Sequence, residues 1–493
     1  MLRIYRVGNQ LPRRSAALAA SAAVGKLLKL RACELGCVLF VVALATPIHA
    51  TIIWEGREVA EWPDQFLTAL GKSSAGSAPA PSGYYPSPKG IVYGLTMIVD
   101  FSDSPAIFTR VQVDDWLNKP GYVMGSAKGS VRDYYLEVSN GQVDLRNDVA
   151  GYYRAKKTKA YYEETSASEL VNELIEYFDA QGMDFSKYDN DKNGTTESIS
   201  FVYAGRPEGR DAGKLWPHSS TVGLSKDGVK LGRYNMSDMS DNLALYVFAH
   251  ETGHMVFGWP DLYWFGDWCM MGNRMSDANP QAINDFYRAD QGWIPTVTVT
   301  AGMSVGFNAP VRNQGYRYVN PAKPEEMYFW SNVVNTGRWS NIRGRGIVLY
   351  HFDRSRGGNS SAGSRGLAVV EADGDNKMTS AQWPVPGSAA SDLFHAGTHA
   401  EVSDHTIPSL KWYDGSNSGL RIHDIGAPAD TMFFAVGTGA AAIPIAERFG
   451  KPGRPVYFFD LLGRWTRRLL PKASHPATVT SVSSGSERSA PSD

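Results

Sequence analysis

Apolar residues recur along this chain with two different periods, and the change near Trp293-Ile294-Pro295 divides it. Gly90 to Phe101 is a dense apolar run that reads as a buried strand. Ser166 stands three residues before Glu169, a spacing that predicts a helix-capping box. After it, Leu170, Val171, Leu174, Ile175 and Phe178 mark one face of a helix. Ser198 to Tyr203 reads as a further strand. The proline-free run from Asp241 to Phe257 predicts a second helix, with Leu243, Val247, His250 and His254 on one stripe. Gly258 and Pro260 cannot comfortably continue that helix, so the chain should turn there. From Thr296 to Val436 the pattern shifts to short alternating runs separated by Gly, Asn and Asp turns, which predicts mainly β structure. The fold class expected from this order is α+β: a mixed sheet with helices, then a β-rich region packed on it.

The ends of the chain read differently. Arg13, Arg14, Lys26, Lys29 and Arg31 precede an uncharged, mainly apolar run from Gly36 to Ala50. That run is too short for a comfortable membrane span and suits an export signal cleaved after Ala50. The long basic stretch before it points to a translation start downstream of Met1. Thr51 to Leu70, with Trp54, Trp62 and Phe66, leads into a Ser/Ala/Pro/Gly linker at Lys72 to Pro88. The pair reads as a short propeptide, in which Glu61 or Asp64 could block a metal. Val456 to Trp465 is a lone strand-like piece, and the tail from Lys472 has a disordered composition. The expected boundaries are 1–50 for the signal, 51–88 for the propeptide and linker, 89–295 for a catalytic domain, 296–437 for the β-rich region and 438–493 for a partly disordered tail.

Composition narrows the partners. A net charge of −1 offers no electrostatic basis for binding nucleic acid or an anionic membrane. No segment of the mature chain is long and apolar enough to span a bilayer. Of three cysteines, Cys33 and Cys37 fall in the expected signal, so the mature chain keeps Cys269 and no internal disulfide. A secreted protein, acting as a monomer on protein or peptide substrates, is the expectation.

The chemistry is concentrated in His250-Glu251-Thr252-Gly253-His254. At i and i+4 on a helix, two imidazoles share one face, their Cβ atoms about 5–6 Å apart. That is the spacing of a zinc site, and a catalytic zinc takes three protein ligands and keeps one position open. Glu251 lies about 100° round the helix from His250, where a carboxylate can act as general base without ligating. Asp261, after the turn at Gly258 and Pro260, can swing back as third ligand; its other reading is a turn cap, with Asp267 then the next candidate ligand.

Asp189, Asp191, Asn193, Thr195 and Glu197 alternate around Gly194 in the manner of a calcium loop. Ser200 stands where an EF-hand would place its bidentate Glu, so the loop is EF-hand-like at most; an Asx-rich turn is the other reading. Asp353, Glu371, Asp373 and Asp375 could hold another calcium ion, but solvated turn carboxylates are the simpler reading.

The motifs together resemble the immune inhibitor A family of secreted bacterial metallopeptidases. The resemblance rests on Ser130 to Glu137 with Ser139, Gly141 and Gln142, on Tyr188 to Gly194, on Trp216-Pro217-His218, and on His250 to Tyr263. Gly346 to Asp353, Val370 to Gly374 and Ser391 to Phe394 extend it, so that it runs from about Gly90 to Val436. It implies a metzincin-like zinc peptidase domain with His250, His254 and Asp261 as zinc ligands and Glu251 as the catalytic base. It also implies a methionine floor beneath the metal, for which Met271, followed by Gly272, is preferred over Met270. Gly258 and Asp261 each fall one residue later than the common metzincin pattern, and Phe257 takes the usual glycine place. Two alternatives stay open: an inactive relative that serves in adhesion or glycan binding, and a zinc amidase acting on cell-wall peptides.

Overall fold

The run Gly90–Asp100 forms β1, the centre of a five-stranded sheet. The computed structural model describes residues 86–207, 214–272, 276–340, 342–356, 365–380 and 389–438, with the backbone of four short strands nearer the chain ends. The export signal, Glu61, Asp64 and the tail from Lys472 lie outside the described residues. The chain divides into units of Met1–Phe66 and Leu67–Asp493. In the first, Ile52–Trp54 pairs antiparallel with Arg57–Val59. The second contains everything below.

Beside β1 lie β2 (Val143–Arg154) and β3 (Ile199–Ala204), then β4 (His218–Thr221) and β5 (Arg233–Met239), in the order β2-β1-β3-β5-β4. All pairings are parallel except that of β4, an antiparallel edge strand. Parallel strands need crossover helices, and these bury both faces of the sheet. Leu95, Met97 and Val99 of β1 therefore pack on one side, with Leu170, Leu174 and Phe178, while Ile98 packs on the other. The helices are α1 (Arg110–Asn118), α2 (Val131–Val138), α3 (Lys159–Glu164), α4 (Ala167–Ala180) and α5 (Leu245–Phe257).

Two expectations are corrected. Ser166 does precede α4, but its side chain caps nothing. Glu169 instead accepts from the Tyr161 hydroxyl at 3.2 Å. Capping boxes form at Thr109/Gln112 and Ser130/Asp133. Helix α5 begins at Leu245, not Asp241: Asp241 pairs with Arg206, and the Leu245 amide donates to the Asp277 carbonyl. Leu243 thus packs from outside the helix.

After the short α6 (Asp285–Asp290) the chain is β-rich. The strands β6 (Thr296–Val299), β8 (Gly315–Val319), β9 (Glu326–Val333), β10 (Gly346–Asp353) and β11 (Leu367–Val369) form one sheet in that order. The strands β7 (Ser304–Pro310), β14 (Thr431–Thr438), β13 (Leu420–His423) and β12 (Val402–Ser403) form a second, antiparallel sheet. Alternation along β9 sorts its residues: Tyr328 and Trp330 face the second sheet, whereas Met327, Phe329 and Val333 join the core that contains α5. The lone strand-like piece read at Val456 is half of a hairpin, Pro455–Phe459 with Trp465–Leu469. Among the described residues no helix is long and apolar enough to cross a membrane.

Candidate metal centre

Helix α5 is buried almost all round, which fixes its rotation. Asn235 of β5 donates to the Phe248 carbonyl and to Thr252 Oγ1, both at 3.2 Å. The Tyr135 hydroxyl of α2 donates to the Ala249 carbonyl at 2.7 Å. The helix ends in Gly258, whose φ of 68° is a left-handed conformation that favours glycine. Phe257 remains the last helical residue and is fully buried. The residue that displaces Gly258 and Asp261 from the common pattern is therefore absorbed as one more helical position.

Past the turn, Asp261 folds back over the histidines. Its Oδ1 lies 3.1 Å from His250 Nε2 and 3.3 Å from His254 Nε2, and the two Nε2 atoms are 3.1 Å apart. Donors around a tetrahedral zinc at bond lengths near 2.05 Å are about 3.3 Å apart. The far side of each ring is held by the backbone. His250 Nδ1 faces the Met270 carbonyl at 3.1 Å, and His254 Nδ1 faces the Trp259 carbonyl. A carbonyl accepts only, so each Nδ1 carries the proton and each Nε2 presents a lone pair. Three electron-rich atoms thus face one another, an arrangement that a cation relieves. His250 and His254 with Asp261 form a group able to hold a metal ion. When an imidazole is protonated instead, its Nε2–H faces the carboxylate: burial alone would raise the Asp261 carboxyl, but such bonds from His250 and His254 pull it well below the usual carboxylate range. Burial works to lower His254, yet its bond to Asp261 prevails and raises it.

Glu251 is 8% exposed. Burial raises its carboxyl above the ordinary value, and the neighbouring histidines oppose the rise. A raised carboxyl is a stronger base toward water. His218 on the edge strand β4 also acts electrostatically on Glu251, with its Nε2 2.9 Å from the Tyr234 hydroxyl. The sequence reading gave His218 no chemical role.

Met270 and Met271 pack against the helix at Gly253. Both are fully buried. A Cβ placed on Gly253 would stand 2.9 Å from Met271 Sδ and 3.5 Å from Met270 Cε. Met271 is thus the closer floor at that point, while Met270 serves His250 through its carbonyl. Cys269 is fully buried beneath, and burial pushes its thiol up to about 11, which disfavours the thiolate needed for ligation. The described atoms do not include the side chain of Asp267.

Two acidic groups are also assembled. Asp189, Asp191 and Glu197 converge. Asp189 accepts from the Asn193 and Gly194 amides, Asp191 from the Asn193 amide, and Glu197 Oε2 from the Asn190 amide. Among the described residues, Glu197 Oε1 is buried with no hydrogen-bond partner. Asn193 Oδ1 accepts from the Thr195 amide at 2.9 Å. The second group is Glu371, Asp373, Asp375 and Asp392. Here the reading is corrected: Asp353 pairs with Lys323 at 2.6 Å, and Asp392 takes its place. Compared with models of known protein families and with curated proteins, the chain matches none.

Proposed function

We propose that this protein is a secreted zinc-dependent endopeptidase that hydrolyses peptide bonds in protein substrates. The observation that carries the reading is the convergence of His250 Nε2, His254 Nε2 and Asp261 Oδ1 at 3.1–3.3 Å, with both Nδ1 atoms turned to carbonyls. Bound among these atoms, zinc supplies a Lewis acid that brings the pKa of water near 7 and polarises a peptide carbonyl. Glu251 accepts the proton of the attacking water at its carboxylate and returns it to the departing amine. The Met270 and Trp259 carbonyls keep both imidazoles in the ligating tautomer. The resemblance to the immune inhibitor A family supports the same assignment and the expectation of export. We further assign calcium to the Asp189–Glu197 loop, where the unpartnered Glu197 Oε1 gives a hard cation an oxygen ligand.

The test is Glu251→Ala. Zinc content should stay at one per chain, while casein hydrolysis falls by about 10²–10⁴-fold or more. Unchanged proteolysis would overturn the mechanism. Cleavage of cell-wall peptides without cleavage of casein would move the assignment to an amidase.

A further inference from the structure

Where the core containing α5 meets the sheet containing β9, there is a small cavity of about 10 Å³. That is about the room taken by one water-sized particle. Trp268, Asn284, Asp285, Arg312, Val333 and Tyr350 are among its lining residues. Two of these carry buried donors without a partner among the described residues: the indole Nε1 of Trp268 and the guanidinium Nε of Arg312. Asn284 is already committed, donating to Cys269 Sγ and accepting from the Tyr287 amide.

Charge points the same way as the donors. Arg288, Arg312 and Asp285 are all buried, at 1%, 7% and 1% exposure. Asp285 Oδ1 accepts from Arg288 Nη1 at 2.8 Å, and its Oδ2 accepts from the Ser331 hydroxyl at 2.9 Å. Arg312 Nη1 is 4.0 Å from the same carboxylate, beyond hydrogen-bond reach. Its other contacts are the Val334 carbonyl, at 3.2 Å from Nη2, and the face of Trp339, 4.1 Å away. Two guanidiniums therefore share one carboxylate. Burial and the repulsion of Arg288 bring Arg312 down to about 9 against the pull of Asp285, which leaves it charged at neutral pH. An unpaired charge taken this far from water is costly unless a counter-charge accompanies it. A water molecule can accept the two free N–H bonds, but it leaves the charge standing.

We propose that a chloride ion occupies this cavity, accepting from Trp268 Nε1–H and Arg312 Nε–H and neutralising the second guanidinium. Trp268 closes the turn Tyr263–Trp268 that follows Asp261, so the ion would pin that turn to the β-rich sheet. The inference is independent of the peptidase reading, because neither donor serves the metal centre.

The test uses the full chain. Crystals grown in bromide should show an anomalous peak in the cavity. At constant ionic strength, the melting temperature should be higher in chloride than in gluconate and rise with each tenfold increase in chloride above its Kd. Trp268→Phe, which keeps an aromatic ring, though a smaller one, and removes the donor, should lose most of that dependence, as should Arg312→Met if it folds. An ordered water without anomalous signal, with equal melting in chloride and gluconate, would overturn the proposal. So would a chloride dependence undiminished in Trp268→Phe.

Discussion

Among the described residues, Asp261 Oδ1 and the two Nε2 atoms of His250 and His254 face one another. In the Asp189–Glu197 loop, by contrast, most carboxylate oxygens are already bonded to amides of their own loop. The difference lies in what holds each group together. The histidines are placed by a helix locked into a core and by carbonyls behind the rings, so the ligand atoms can be left bare. The acidic loop is placed by its own carboxylates, which spend most of their capacity on that task. A cation should therefore be indispensable at the first site and a reinforcement at the second.

The largest effect expected is at Asp261. Asp261→Ala removes a direct ligand, so zinc occupancy should collapse by more than the ~10–100-fold that losing an outer partner costs. Metal analysis of the purified variant checks this, and full zinc would place the third ligand elsewhere. At the loop, removing calcium should cost about 2–3 kcal/mol if calcium is present at a hundredfold its Kd. Thermal unfolding with and without a calcium-selective chelator measures it. Glu197→Gln should shrink the difference, and a chelator-insensitive wild type would leave the loop a plain Asx turn.

A smaller effect is expected at Tyr246, whose hydroxyl donates to the Gly272 carbonyl at 2.8 Å in the methionine turn. Tyr246→Phe should weaken zinc binding by about tenfold without abolishing it. Zinc competition with a chromophoric chelator resolves a change of that size. The smallest concerns the second acidic group. Burial, with Glu371, Asp373 and Asp375 nearby, pushes Asp392 up to about 7. Its folded pKa exceeds its unfolded one, so without divalent cations stability should be highest at low pH and fall as pH rises toward 7. Melting temperature from pH 5 to 8 should flatten in Asp392→Asn; an equal slope in both proteins would show that Asp392 titrates normally.

What could be read from the chain follows the range of the interactions. His250, Glu251 and His254 declare themselves by spacing, and Gly258 with Pro260 correctly marks the end of the helix. The stripe Leu170 to Phe178 and the buried β1 follow from periodicity and are present. The carbonyls of Met270 and Trp259 could not be foreseen, because any residue supplies a carbonyl and only the fold aims it. Asp392 joins the acidic group, and Asp353, about as near to it in the chain, leaves it for Lys323. Ser166 shows the opposite failure: a correct local signal whose partner, Glu169, is taken by Tyr161. The start of α5 is also set by a distant contact, the Asp277 carbonyl, rather than by any residue at Asp241.

Both faces of β9 are covered, one by the second β-sheet and one by the core that contains α5. Phe329 meets Phe286 with ring centroids 5.6 Å apart, and Tyr350 on β10 stacks on Phe265 at the same separation. A single strand thus belongs to two hydrophobic interiors at once. The half that carries His250, His254 and Asp261 and the β-rich half are not separable modules that recombination could trade between proteins. A gene cut near Pro295 would yield two fragments, each with an uncovered aromatic face, and the candidate metal centre should pass through evolution only with its β-rich partner attached.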